Sequence, residues 1–310
     1  MTTPDPMLVF DRDLVRRRRE RAARDWNGAA FLKREIAGRL VERLDDVRRT
    51  FPLAVDLGCH GGEIGAALMR PDGIRRGGIG TLMALDGALE FARRAAANGP
   101  AVVADEELLP LAPASVDLVL SAMALHWVND LPGALTQICR ALKPDGLFLA
   151  ALLGGETLWQ LRQALAQAES DVAGGLSPRV SPFAQLRDAA GLLQRAGFAM
   201  PVADTETIEV RYADALALMR DLRAMAESNA VRERRMVLTR REVLARAAAI
   251  YEARHAGPDG RVAASFEVLY LHGWAPHAAQ PRPLRPGTAT TRLADALGTI
   301  ERPAGEKAGR

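Results

Sequence analysis

Two cysteines in 310 residues, Cys59 and Cys139, are too few for a disulfide framework or a four-thiolate zinc site, and they point to a reducing compartment. No uninterrupted apolar run reaches the ~18 residues that a membrane span needs. The first ten residues lack the charged-then-apolar order of a secretory signal. Acids at Asp5, Asp11, Asp13 and Glu20 do not suit a transit peptide, so the expectation is a cytoplasmic protein with at most peripheral membrane association. Lysines are few, and the bias toward alanine and arginine suggests a GC-rich bacterial genome. The pI of 9.2 sounds basic, but the net charge is only +3 and the arginines are interspersed with acids. Beyond "RRRRERAAR" there is no basic stripe for nucleic acid, and none is expected as a partner.

What is present is an ordinary globular composition, 48% hydrophobic and 25% charged, in a chain long enough to bury a sizeable core. Residues 10–24 and 29–49 read as helices, the second with Leu32, Ile36, Leu40, Val41 and Leu44 at three-and-four spacing. Then "LAVDLG", "GTLMALD", "AVVADEE", "SVDLVLSAMAL" and "LFLAALL" read as strands separated by helices, including "LPGALTQICRALKPDG", stopped by Pro144 and Gly146. Continuously apolar strands alternating with helices predict a doubly wound, mostly parallel α/β sheet. Two more helices follow, the second ("SPFAQLRDAAGLLQRAGF") with Ser181 as its cap and Pro182 in its first turn. "VADTETIEVRY" reads as an edge strand, residues 213–256 as a helical insertion and "AASFEVLYLHGW" as the seventh strand. The expected organisation is an N-terminal helical extension over 1–50, one domain over 51–275 and a mobile Pro/Gly/Arg-rich tail over 276–310.

In open α/β sheets ligands sit beyond the carboxyl ends of the strands. Three such ends carry acids: Asp56, Asp86 and the pair Asp105–Glu106. Glycines at 58, 61 and 62 let a ligand approach the backbone. No Gly-Lys-Ser/Thr follows, and His60 and Glu63 break the dinucleotide pattern Gly-x-Gly-x-x-Gly. Asp86 is placed to accept both hydroxyls of a ribose, and Asp105 or Glu106 an adenine amine, with Leu108 or Leu109 against the base. An adenosine held by acids, with no cation awaiting a phosphate, suggests S-adenosylmethionine, whose positive groups Asp56 would attract. The bland alternative is that these acids cap strands and helices. The candidate cofactor residues are Asp56, Gly58, Cys59, His60, Gly62, Asp86, Asp105, Glu106 and Ser121.

Here a family resemblance enters. "DLGCHGGEIG" and the run from "ADEELLPLAPASVDLVLSAMALHWV" to "GGETL" resemble a class I S-adenosylmethionine-dependent methyltransferase. More narrowly, "VFDRDLVRRRRERAA", "LHWVNDLPGAL", "SPRVSPF", "LLQRAGF", "MAESNA" and "YLHGW" are similar, in order, to segments of the complex I (NADH:ubiquinone oxidoreductase) assembly factor 5 family and its bacterial relatives. The likeness spans roughly residues 8–290. It implies a Rossmann-like methyltransferase fold, S-adenosylmethionine or S-adenosylhomocysteine as cofactor, and a complex I subunit as protein substrate. The modification it implies is of an arginine, by hydroxylation or methylation. It assigns no catalytic residue. Family members usually read Gly-Cys-Gly at the turn, so His60 is a departure. Its Cβ is tolerated only if the backbone and the ring turn away from the ligand.

"HWVNDLPGAL" and "LKPDG" also resemble malonyl-acyl-carrier-protein O-methyltransferases, which makes a small-molecule methyltransferase the second reading. A third is a noncatalytic assembly chaperone with a relic pocket. "SPRVSPF" and "ESNA" favour the first over the second. A hydroxylase commonly holds a metal with two histidines and a carboxylate. His255, His272 and His277 lack such spacing, so no metal site is expected.

His126 and Trp127 follow the fourth strand as candidates for positioning substrate or handling a proton; alternatively the histidine caps a turn and the indole packs on the pocket wall. Cys59 is either a reactive thiol or a small residue filling the turn. Arginines 16–19 read as a solvated helix face or as a contact for an acidic partner or a lipid headgroup. For a protein substrate the expectation is an open groove with Trp127 on its floor and Glu156 or Glu227 at the rim to meet a guanidinium. A sealed apolar pocket, with arginines placed to read a carboxylate or phosphopantetheine, would favour the acyl-carrier-protein reading.

Overall fold

The structure, a computed structural model, describes residues 8–281 and 291–300. Five parallel strands form first: β1 (Leu53–Leu57), β2 (Thr81–Asp86), β3 (Ala101–Val103), β4 (Val116–Ala122) and β5 (Leu142–Leu153). Two long strands, β6 (Ala199–Tyr212) and β7 (Val262–Trp274), complete a seven-stranded sheet in the order β3-β2-β1-β4-β5-β7-β6. β7 runs antiparallel between β5 and β6. The fold class read from the sequence is the one observed.

The helices are α1 (Arg12–Ala22), α2 (Trp26–Ala29), α3 (Phe31–Glu42), α4 (Glu63–Leu68), α5 (Leu89–Ala95), α6 (Leu131–Ala141), α7 (Trp159–Ala173), α8 (Leu186–Arg195), α9 (Ala215–Ala224) and α10 (Arg241–His255). They cover both faces of the sheet, which explains the uninterrupted apolar character of β1, β4 and β5. Ala54, Leu118 and Leu147 pack on one face with Ile36 and Leu40 of α3 and Leu161 of α7. Val55, Val119 and Phe148 pack on the other with Leu135 and Ile138 of α6 and Leu193 of α8. Each fully buried leucine contributes about 1.5–3 kcal/mol, so truncating Leu120 to alanine is expected to cost about 2–5 kcal/mol.

Two boundaries differ from expectation. α6 ends at Ala141 rather than at Pro144–Gly146, because β5 starts at Leu142, paired with Val116 before an irregularity in the ladder. α8 starts at Leu186, so Ser181 and Pro182 do not cap it. Ser181 is instead buried, its hydroxyl donating to Asn229 Oδ1 at 3.5 Å, and Asn229 also ties down Pro178. These long-range bonds anchor Pro178 and Ser181 to Asn229, and residues 178–183 form no helix.

The chain divides into two compact units, residues 1–276 and 277–310. In the second, the described part includes a short helix, α11 (Leu293–Leu297), where the sequence suggested no regular element. The rest of the expected mobile tail, at 282–290 and 301–310, lies outside the described residues.

Candidate functional site

The sheet changes winding direction between β1 and β4, and the crevice beyond their carboxyl ends is where such folds bind ligands. The turn from β1 to α4 lines it. Gly58 sits at φ +70°, and a Cβ there would collide with the side chain of Ala124. His60 is also left-handed, at φ +46°, an uncommon conformation for a residue with a Cβ. Asp86 at the end of β2 holds it there: Oδ2 accepts from the His60 amide at 3.0 Å and Oδ1 from the Ala88 amide at 2.9 Å. The ring does not turn outward. It is buried, stacked on Trp26 of α2 at 5.3 Å between centroids and tilted against Phe91 of α5 at 4.9 Å. Burial, and then the nearby Lys33, push its pKa well below the usual histidine value.

Protein cations occupy both ends of this acidic crevice. At one end Lys33 of α3, fully buried, donates to the carbonyls of Gly58 at 2.6 Å and Ala122 at 2.9 Å, with His60 Nδ1 at 2.6 Å. At the other end Arg19 Nη1 and Arg12 Nη2 of α1 each lie 2.5 Å from an oxygen of Glu106. Burial alone would raise the Glu106 pKa, but Arg19 and Arg12 outweigh it and bring it down to about 2. Burial raises Asp86 against the pull of Arg19. Asp56, whose Oδ1 is buried without a hydrogen-bond partner, is pushed up to about 7 by desolvation, partly offset by Lys33. Arg19 corrects the expectation that arginines 16–19 form a solvated face. It lies on the inward side of α1 with Val15 and Ala22, and only Arg16 and Arg17 of that run are exposed.

The other sequence candidates divide. Ser121 is buried in the crevice, its hydroxyl donating to the Leu57 carbonyl at 2.8 Å, which ties β1 to β4. Cys59 is fully buried with its pKa raised well above the ordinary value by desolvation, the state of an inert thiol. Gly62, at φ +87°, is the residue before α4. Asp105 lies outside the crevice proper, half exposed and paired with Arg12 at 2.5 Å. Leu108 is exposed.

His126 and Trp127 point away from an open groove. Trp127 is buried against Phe10, Val15 and Val231. Both side chains meet one carboxylate, Glu227 Oε2, at 3.0 Å from His126 Nε2 and 3.2 Å from Trp127 Nε1. Glu227 is therefore engaged internally and does not wait at a rim for a guanidinium, and Glu156 is simply exposed. Above this triad, between α7, α9 and residues 178–183, lies a partly enclosed cavity of about 290 Å³. Leu161, Leu165 and Met219 line it, together with Arg18, Arg223, Arg234 and Glu227. Among the described residues neither Arg18 nor Arg223 has a carboxylate within 4.0 Å. Burial and the like charge of Arg234 lower the Arg18 pKa.

Trp26, Lys33 and Glu63 were missed as crevice residues. Trp26 Nε1 donates to Glu63 Oε1 at 2.6 Å, closing the turn from the α2 side. Lys33 carried a readable signal: it stands three, four and seven residues before Ile36, Ala37 and Leu40, within the apolar stripe of α3. Arg19 stands likewise between Val15 and Ala22. A charge on a buried stripe marks a buried counter-charge.

A methyltransferase-domain family model matches residues 55–150, the segment from β1 to β5. The chain is 42% identical to "Arginine-hydroxylase NDUFAF5, mitochondrial" of Danio rerio over 93% of its own length and 89% of the relative's. It is 39% identical to a malonyl-[acyl-carrier protein] O-methyltransferase of Methylovorus sp. (strain MP688), over 89% of this chain and 93% of that one. Among solved structures, the YcgJ protein of Bacillus subtilis matches in fold with a TM-score of 0.55 at 13% identity, over 79% of this chain and 99% of that one. Sequence and topology together make the chain a member of the class I methyltransferase superfamily, and within it of the assembly factor 5 (NDUFAF5) family and its bacterial relatives.

Proposed function

We propose that this protein binds S-adenosylmethionine or S-adenosylhomocysteine in the crevice between β1 and β4 and modifies an arginine of a respiratory complex I subunit during assembly. We assign residues 51–275 to the methyltransferase-like domain and 1–50 to an extension, of which α1 and α3 bring Arg19 and Lys33 to the crevice. The donor set fits the cofactor. Each Asp86 oxygen accepts a single backbone bond and keeps a lone pair for a ribose hydroxyl. The orphaned Asp56 Oδ1 and the backbone carbonyls of Gly58 and Ala122 suit a positively charged head. The observation that carries the protein-substrate reading is the reach of the likeness to the arginine-hydroxylases. It covers 93% of this chain at 42% identity, against 89% at 39% for the malonyl-[acyl-carrier protein] O-methyltransferase. Mass spectrometry of complex I subunits, from cells with and without the protein, tests it. Loss of one arginine modification without the protein supports it, and identical subunits would end it.

A second reading is a malonyl-acyl-carrier-protein O-methyltransferase. It is favoured by the cavity beside His126, where apolar residues lie together with Arg18, Arg223 and Arg234, a lining suited to a carboxylate on a short acyl chain. Transfer of methyl to a malonyl thioester by the purified protein would support that reading. A cytoplasmic, bacterial setting is part of the proposal and agrees with the two free thiols.

A further inference from the structure

Lys33 is an unusual resident for a ligand crevice. Its ammonium is fully buried, yet among the described residues it makes no ion pair within 4.0 Å. Its hydrogen bonds go to Gly58 O, just past the end of β1, to Ala122 O, the last residue of β4, and to His60 Nδ1. Those two strands flank the point where the sheet reverses its winding, so the ammonium sits in the mouth of the crevice. Burial lowers its pKa, and the attraction of Glu63, Asp56 and Asp86 offsets that burial only in part. Two strand-end carbonyls and three acids are what a cationic ligand head would also need. Two ammonium groups bonded to the same two carbonyls would lie within a few ångströms of each other, a like-charge contact that a buried site does not screen.

We propose that Lys33 is a specificity-determining residue of this crevice: adenosyl ligands that carry an α-ammonium must displace its side chain from Gly58 and Ala122, whereas those without one need not. The proposal rests on the cofactor reading above. It makes the free protein self-neutralised at this end, as Arg19 makes it at the Glu106 end. Replacing Lys33 by methionine would leave three buried acids without their resident cation and leave the carbonyls free for the ligand's own.

The test is calorimetry on the full-length protein with S-adenosylhomocysteine, which has the ammonium, and 5′-methylthioadenosine, which lacks the amino-acid portion. In Lys33→Met, S-adenosylhomocysteine is expected to bind about tenfold tighter or better, while methylthioadenosine stays within about twofold of wild type. Lys33→Gln, which keeps a donor for the carbonyls, is the milder variant, and thermal melting establishes which variants are folded. If neither is, the wild type alone decides. Methylthioadenosine binding at least as tightly as S-adenosylhomocysteine supports the proposal, and a preference of about a hundredfold for S-adenosylhomocysteine overturns it. Weaker S-adenosylhomocysteine binding by Lys33→Met would also overturn it, by making Lys33 a direct contact to the ligand's carboxylate. Unchanged binding of both ligands would reduce Lys33 to a packing role. If no adenosyl ligand binds any of these proteins, the cofactor reading fails, and this proposal with it.

Discussion

Arg19 and Glu106 form an ion pair closed from water, Nη1 to Oε1 at 2.5 Å, with side chains 4% and 1% exposed. Removing Glu106 strands Arg19 in the interior, whereas removing Arg19 leaves Glu106 still paired with Arg12. Glu106→Gln is therefore expected to cost about 3–5 kcal/mol in denaturant melts, and Arg19→Met less. The double variant should cost much less than the sum, because it leaves no orphan. A loss below about 1 kcal/mol in Glu106→Gln would mean that the pair behaves as a solvated surface bridge.

Two buried acids give opposite pH dependences. Glu106 is held at about 2, below the ordinary 4.5, so its stabilisation is complete above pH 4.5 and is lost as the pH falls toward 2. Asp56 is raised to about 7 from 3.8, so the folded state prefers it protonated and stability declines as the pH rises from 3.8 to 7. Melting temperatures from pH 2 to 8 should show a loss on the acid side that flattens in Glu106→Gln. The decline toward neutrality should be relieved in Asp56→Asn.

His60→Gly separates strain from packing. Glycine relieves the left-handed backbone at φ +46° but removes the ring stacked between Trp26 and Phe91. The lost ring outweighs the relief, and a net destabilisation of about 1–3 kcal/mol is expected by calorimetric melting. Affinity for S-adenosylhomocysteine should hold or improve. A marked loss of affinity would make the imidazole a ligand contact.

Asp86→Ala should be damaging twice over. The two amides that shape the turn, those of His60 and Ala88, lose their acceptor. A bound ribose also loses a charge-assisted partner worth about 1.5–3 kcal/mol. Asp86→Asn keeps one acceptor oxygen and should fall between wild type and alanine in both melting and calorimetry. Equal binding by all three proteins would remove Asp86 from the ligand site.

Much of this was legible in the residues. The apolar runs ending at Asp56, Asp86 and Asp105 announced parallel strands with acids at their ligand-facing ends, and the turn after Asp56 is where that reading put it. What could not be read was the occupancy of the crevice by charges from outside it. Lys33 and Arg19 come from helices that precede β1, and only the three-dimensional packing of α1 and α3 brings them to Gly58 and Glu106. Glu227 was misjudged for a related reason. Its partners His126 and Trp127 lie about a hundred residues earlier, and no local pattern links them.

The distance along the chain between Arg19 and Glu106, 87 residues, also orders events during synthesis. Helix α1 is made first and is dominated by arginine, with only Val15, Arg19 and Ala22 buried, so apolar burial gives it little reason to dock. Its counter-charge does not exist until the chain beyond β3 has been made, and β3 becomes a rim only after pairing with β2. Helix α1 can therefore make this contact only once the chain through Glu106 exists, and it is expected to open before the strands do. Amide exchange in α1 should then run ahead of exchange in the strands it covers, reporting the opening of the crevice without any ligand present.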